Sequence, residues 1–152
     1  MKSRTAIFKE CIVAYSKTME DGLQKKVSEK YVVDAITFGE AEAKISKEMS
    51  SYISGEFKVE NINPCKFGEV FLTENGTDDR WYLARLAFIT IDEKTEKEKK
   101  SKVHYLVQGS SVNGATKSID EVMGKTMIDY VIEKVEETNY MYVFFHEKKE
   151  EE

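Results

Sequence analysis

The sequence predicts an α+β fold of two tandem ββαβ modules, with antiparallel strands in one or two sheets and both helices packed on one side. Two internal matches carry that prediction. Tyr31–Ile45 reads YVVDAITFGEAEAKI and Tyr105–Ile119 reads YLVQGSSVNGATKSI, so Tyr31, Val33, Ala41 and Ile45 fall on Tyr105, Val107, Ala115 and Ile119 at an offset of 74 residues. Each copy reads as a strand, a short turn and a helix. At an offset of 73, Phe57, Val59, Ile62, Phe67, Val70 and Phe71 fall on Tyr130, Ile132, Val135, Tyr140, Val143 and Phe144. The modules span residues 5–75 and 79–146 of one compact 152-residue domain, followed by a charged tail at 147–152.

The first module opens with a strand over Ala6–Tyr15. Asp21-Gly22 supplies the hairpin turn, because glycine accepts positive φ, and Lys25–Asp34 returns as a half-buried strand. Thr37-Phe38-Gly39-Glu40 has capping-box spacing: the Thr37 hydroxyl accepts from the Glu40 amide, and the Glu40 side chain reaches back to the Thr37 amide. Phe38, Ala41, Ile45, Met49 and Tyr52 then form one helical stripe, and Gly55 marks its stop. Glu56–Leu72 is β-rich but broken by the chain's only proline, Pro64, which predicts an edge strand or two short strands joined by a bend. Thr73–Asp79 is the polar inter-module loop.

In the second module Arg80–Asp92 is apolar on both faces, as a central strand or one covered by a second subunit would be. Glu93–Lys102 reads as a charged hairpin tip and Val103–Gln108 as the return strand. Ser111 caps a helix carrying Ala115, Ile119, Val122 and Met123, with Gly114 where a capping box would place an acid. Periodicity alone would run this helix to about Glu137. The 73-residue match instead ends it near Met127 and makes Asp129–Phe145 strand.

Composition limits the function. With 41% hydrophobic and 11% aromatic residues the chain can bury a real core. A net charge of −5 argues against a generally basic nucleic-acid coat and leaves room for a local basic face. Cys11 and Cys65 fit buried thiols in a reducing compartment. The N-terminal stretch is too polar for a signal peptide, and no apolar run approaches about 18 residues, so a cytoplasmic protein without a membrane partner is expected.

No catalytic constellation assembles. His104 and His146 are the only histidines, and no spacing of Cys and His suits zinc. No phosphate loop is present, and the abundant carboxylates sit on helix faces and loop tips. No enzyme, metal or cofactor is expected. Asp34, at a strand-to-helix junction, is the one acid in a position to be placed, and a turn acceptor is its ordinary role.

What remains is a basic, aromatic strand pair. Arg80, Trp81, Tyr82 and Arg85 lie on one strand, with Lys99, Lys100, Lys102 and His104 on its hairpin partner. Small α+β modules bind single-stranded nucleic acid by stacking bases on sheet aromatics and tracking phosphates with cations. The competing expectation makes Trp81 and Tyr82 core, since their strand is apolar on both faces. A second class of function is interaction: a homodimer, or a module that sequesters a protein or nucleotide, with the acidic tail as a partner contact.

The strings YVVDAITFGEAEAKI, YISGEF, DRWYLARLAFITIDEKT, YLVQ and MGKTMIDYVIEKVEET resemble the family known as domain of unknown function 4494. The resemblance covers roughly Phe8–Phe144 and excludes the Lys/Glu tail. That family occurs in Bacteroidetes-type gut bacteria and their phages and carries no established activity. The resemblance therefore implies a small cytoplasmic or phage-encoded accessory protein and transfers no catalytic residue.

Overall fold

A computed structural model of the chain describes residues 2–146. The expected tail contact lies outside these residues. In chain order the elements are β1 (Lys2–Thr5), β2 (Phe8–Thr18), β3 (Gln24–Asp34), α1 (Phe38–Tyr52), β4 (Phe57–Pro64) and β5 (Glu69–Leu72), then β6 (Arg80–Ile91), β7 (Glu98–Gly109), α2 (Val112–Met123), β8 (Tyr130–Glu137) and β9 (Tyr140–Phe144). The α+β class is as the sequence predicts. One sheet has the order β4-β2-β3-β9 and the other β1-β5-β7-β6-β8.

In the four-stranded sheet, β2 and β3 form a hairpin whose turn uses Gly22 at φ 82°. Thr37 caps α1 by accepting from the Glu40 amide at 3.1 Å. The Glu40 carboxylate accepts from the Ile36 amide at 3.2 Å, one residue earlier than the spacing predicted. Ala41, Ile45 and Met49 on α1 pack with Cys11, Val13, Val33 and Phe144. The ends of the expected stripe do not bury: Phe38 and Tyr52 are exposed. Phe38 instead lies 5.6 Å beneath the ammonium of Lys9, a lysine only 6% exposed whose Nζ donates to the carbonyls of Ala35 and Ile36. Pro64 closes β4 at the sheet edge, where its missing N–H costs no ladder bond, and a bend leads to β5 as expected.

In the five-stranded sheet, β6 is an interior strand and pairs antiparallel with β7 and β8. Tyr82, Ala84, Leu86, Tyr105 and Val107 form its core with Ala115, Ile119 and Met123 of α2. Three expectations change. Strand β7 begins at Glu98, so Glu98–Lys102 is strand, and the hairpin closes through the Glu96 amide donating to Asp92 O, with Glu96 at φ 56°. Helix α2 ends at Met123, four residues early, where the Gly124 amide closes on the Asp120 carbonyl and the Thr126 hydroxyl caps the Met123 carbonyl. The expected strand Asp129–Phe145 is two strands, β8 and β9. Strand β1, which pairs with β5, has no counterpart in the sequence reading.

The two compact units are not the two consecutive modules. One contains residues 2–5 and 66–138, the other 6–65 and 139–146, counting described residues. Each sheet takes its closing strand from the other half of the chain. Strand β5 lies parallel to β7, with Val70 opposite Leu106 and Phe71 opposite Val107. Strand β9 lies parallel to β3, with Val143 opposite Val32 and Phe144 opposite Val33. The sheets are therefore mixed rather than purely antiparallel. The registers recur: β3 maps on β7 at an offset of 74, and β2, β4 and β5 map on β6, β8 and β9 at 73.

Fragments 1–75 and 76–152, made separately, each leave a sheet without its parallel strand. Neither should show a cooperative urea transition alone, and an equimolar mixture should regain one, followed by far-UV circular dichroism. Cooperative unfolding of either fragment by itself would contradict the exchange.

Candidate nucleic-acid interface

Side chains alternate along β6 and β7, which sorts the expected interface residues between faces. Tyr82 points with Ala84 and Leu86 into the α2 core, and Trp81 lies on the other face with Leu83, Arg85 and Ala87. Trp81 is 4% exposed and Tyr82 1%, so neither ring is open to stack a base. The two-faced apolar strand reports burial on both sides, and the aromatics drop out of the interface. Arg80, at the start of β6, pairs with Glu137 at 3.5 Å, away from the rest. Lys99 alternates onto the α2 side of β7, whereas Lys100, Lys102 and His104 share the face of Arg85. Those four come together and the other four do not.

Across that face runs a row of basic side chains. Arg85 stands directly opposite His104 on β7 and directly opposite Lys134 on β8. Like charges opposite each other on neighbouring strands repel and destabilise a sheet. A β-bulge at this point makes Glu133 an extra residue between the pairs Arg85–Lys134 and Leu86–Ile132. Lys66, Leu83, Arg85, His104, Lys134 and Glu136 line a shallow pocket of about 110 Å³. Two carboxylates answer the row: Glu133 Oε1 lies 3.4 Å from Arg85 Nε, and Glu136 Oε2 3.2 Å from Lys134 Nζ. The buried Arg85 Nε nonetheless makes no hydrogen bond. Burial, and then the charges of Lys66, Arg85 and Lys102, hold the His104 imidazole below its usual pKa of 6.5.

Sequence reasoning missed Lys66 and Lys134. Lys66 sits in the bend after β4, and Lys134 reaches Arg85 only through the bulge, which no periodicity announces. The same positions in the other unit hold Ile12, Lys30 and Asn61, with Ile12 opposite both Lys30 and Asn61. That framework forms with a single cation there.

Asp34 serves the fold. Its carboxylate accepts from the His146 amide at 3.0 and 3.1 Å, lies 2.8 Å from His146 Nδ1, and has Lys44 Nζ at 3.6 Å. In the other sheet Gln108, its counterpart at offset 74, accepts from the Thr73 amide at 3.1 Å. Both side chains pin the chain just past a parallel closing strand, at Thr73 after β5 and at His146 two residues after β9. Burial, helped by the Glu10 carboxylate, pushes the thiols of Cys11 and Cys65 up to about 12, so neither forms a thiolate nucleophile near neutral pH.

The depressed His104 pKa has a definite sign. The folded state favours the neutral imidazole, so its contribution to stability is present above about 6.5 and is lost as pH falls through the lower folded value. In an NMR titration the His104 ring should show a midpoint below 6.5, and Arg85→Gln should raise it. A midpoint at or above 6.5 would remove the electropositive row.

Among the described residues no helix is long and apolar enough to cross a membrane. No curated protein and no solved structure matches the chain. The model of the family described as domain of unknown function (DUF4494) matches residues 7–147, nearly the whole chain. The chain belongs to the DUF4494 family.

Proposed function

We propose that the chain is a non-catalytic binding protein that takes single-stranded nucleic acid on the sheet face of Arg85, Lys100, Lys102 and His104. The observation that carries this reading is the row His104–Arg85–Lys134, in which two cations and an imidazole face one another and which the fold does not require. With Trp81 and Tyr82 buried, affinity rests on phosphate contacts, which are indifferent to sequence and weaken with salt. The overall charge of −5 makes any such attraction local rather than general. We read the protein as a small cytoplasmic accessory factor of phage or Bacteroidetes-type bacterial origin, and the recurring registers favour an internally duplicated module. A fluorescent single-stranded oligonucleotide should bind at low salt with micromolar or tighter affinity and weaken at moderate salt. Lys100→Glu with Lys102→Glu should abolish binding, and Lys99→Glu, on the opposite face, should leave it nearly unchanged. Absence of binding at low salt would sink the reading.

A second reading, a homodimer or a protein- or nucleotide-sequestering module, draws on a different feature. Met127, Ile128 and Val131 are exposed beside β8, an edge strand with no neighbour on its outer side among the described residues. Light scattering should then give about twice 17.5 kDa, falling to the monomer mass in Val131→Glu. A monomeric wild type at high micromolar concentration would remove the dimer.

A further inference from the structure

We propose that the pocket over the His104–Arg85–Lys134 row is a site for one phosphate group, and that it selects a terminal phosphomonoester over an internal phosphodiester. The inference rests on the nucleic-acid reading for its biological ligand, but the pocket's chemistry stands apart from it.

Size sets the class of ligand. Pockets for drug-sized molecules occupy roughly 300–1,000 Å³. A space of about 110 Å³ matches a single compact oxyanion, and a nucleoside or base attached to it would lie outside the pocket. The lining sets the charge. Arg85 offers a planar fork suited to two phosphate oxygens, and Lys66 and Lys134 add two point charges. His104 lies opposite Arg85 in the register, and Lys102 is the next residue on the same face of β7. Only Leu83 among the lining residues is apolar.

The two carboxylates explain how the site persists without its ligand. Glu133 and Glu136 act as resident counter-ions, tied to Arg85 and Lys134. Their side chains are 27% and 51% exposed, so each can swing towards water when an anion arrives. Binding is then an exchange of counter-ions. A dianionic terminal phosphate competes with two carboxylates better than a singly charged diester does. It also favours protonation of His104, whose neutral state is maintained by burial and by Lys66, Arg85 and Lys102. Affinity should rise as pH falls from about 7.5 towards 6.5, the range in which a phosphate monoester still holds most of its second charge.

Exchange predicts opposite signs for opposite charges, and saturation by a simple anion separates a built site from a diffuse basic surface. The test follows the His104 ring resonances by NMR during titration with inorganic phosphate, against chloride at equal ionic strength. In parallel, 5′-phosphorylated and 5′-hydroxyl oligothymidylates of one length are titrated by fluorescence anisotropy. Phosphate should give a saturable shift that chloride does not. Arg85→Gln should weaken it roughly ten-fold, the scale of one charged hydrogen-bonded contact, and Glu133→Gln should tighten it. The 5′-phosphorylated oligonucleotide should bind more tightly than its hydroxyl counterpart. No saturable phosphate shift in the wild type, or weaker phosphate binding in a folded Glu133→Gln, overturns the site whatever the oligonucleotides do. Equal affinity of the two oligonucleotides overturns the preference for a terminal group. Saturable phosphate binding with neither oligonucleotide bound defeats the nucleic-acid reading and leaves the pocket standing.

Discussion

Two short parallel pairings govern the architecture: Val70–Phe71 on Leu106–Val107, and Val143–Phe144 on Val32–Val33. Parallel strands are stable where both faces are covered, and the residues at these pairings are almost fully buried. Each pairing joins segments far apart in sequence, so it gains nothing from local chain proximity. Packing and backbone hydrogen bonds must hold it. The side chains of Asp34 and Gln108 supply the remaining restraint by accepting from the amides that follow β9 and β5. Once these strands are seated, the antiparallel hairpins have a complete sheet, and each helix has a continuous apolar face to cover.

The cation row is a departure from what such a sheet prefers. Three basic side chains face one another on adjacent strands, and a bulge supplies Glu133 beside them. The other unit has the same bulge, with Glu60 as the extra residue, yet places Ile12 between Lys30 and Asn61. Backbone geometry is therefore common to both sheets, and the concentration of positive charge belongs to one. A feature that costs stability and is dispensable to the scaffold points to binding rather than folding.

The helices were the most legible elements, because Thr37 and Ser111 are both side-chain caps and the burial of Ala41, Ile45, Ala115 and Ile119 follows helical spacing. Hairpin β2–β3 was legible from Asp21-Gly22. The closing strands are legible as strands, but nothing local in Val70–Phe71 or Val143–Phe144 says which strand they join. For the interface, the sequence puts Arg85 and His104 on partner strands of one hairpin, and the register sets them directly opposite each other. Two-sided apolarity around Trp81 and Tyr82 was the signal of their burial. Lys134 was hidden because a bulge shifts its register by one residue, and Lys66 because it lies outside any repeating element.

Strand exchange also shapes how the molecule is born. Phe144 leaves the ribosome about 110 residues after Asp34, a wait of roughly 5–20 s at ordinary elongation rates. Throughout that interval the edge of β3 beside Val32 and Val33 has no strand to complete it, and an apolar open edge is a template for pairing with other nascent chains. The sheet whose hairpin is complete first is thus finished last.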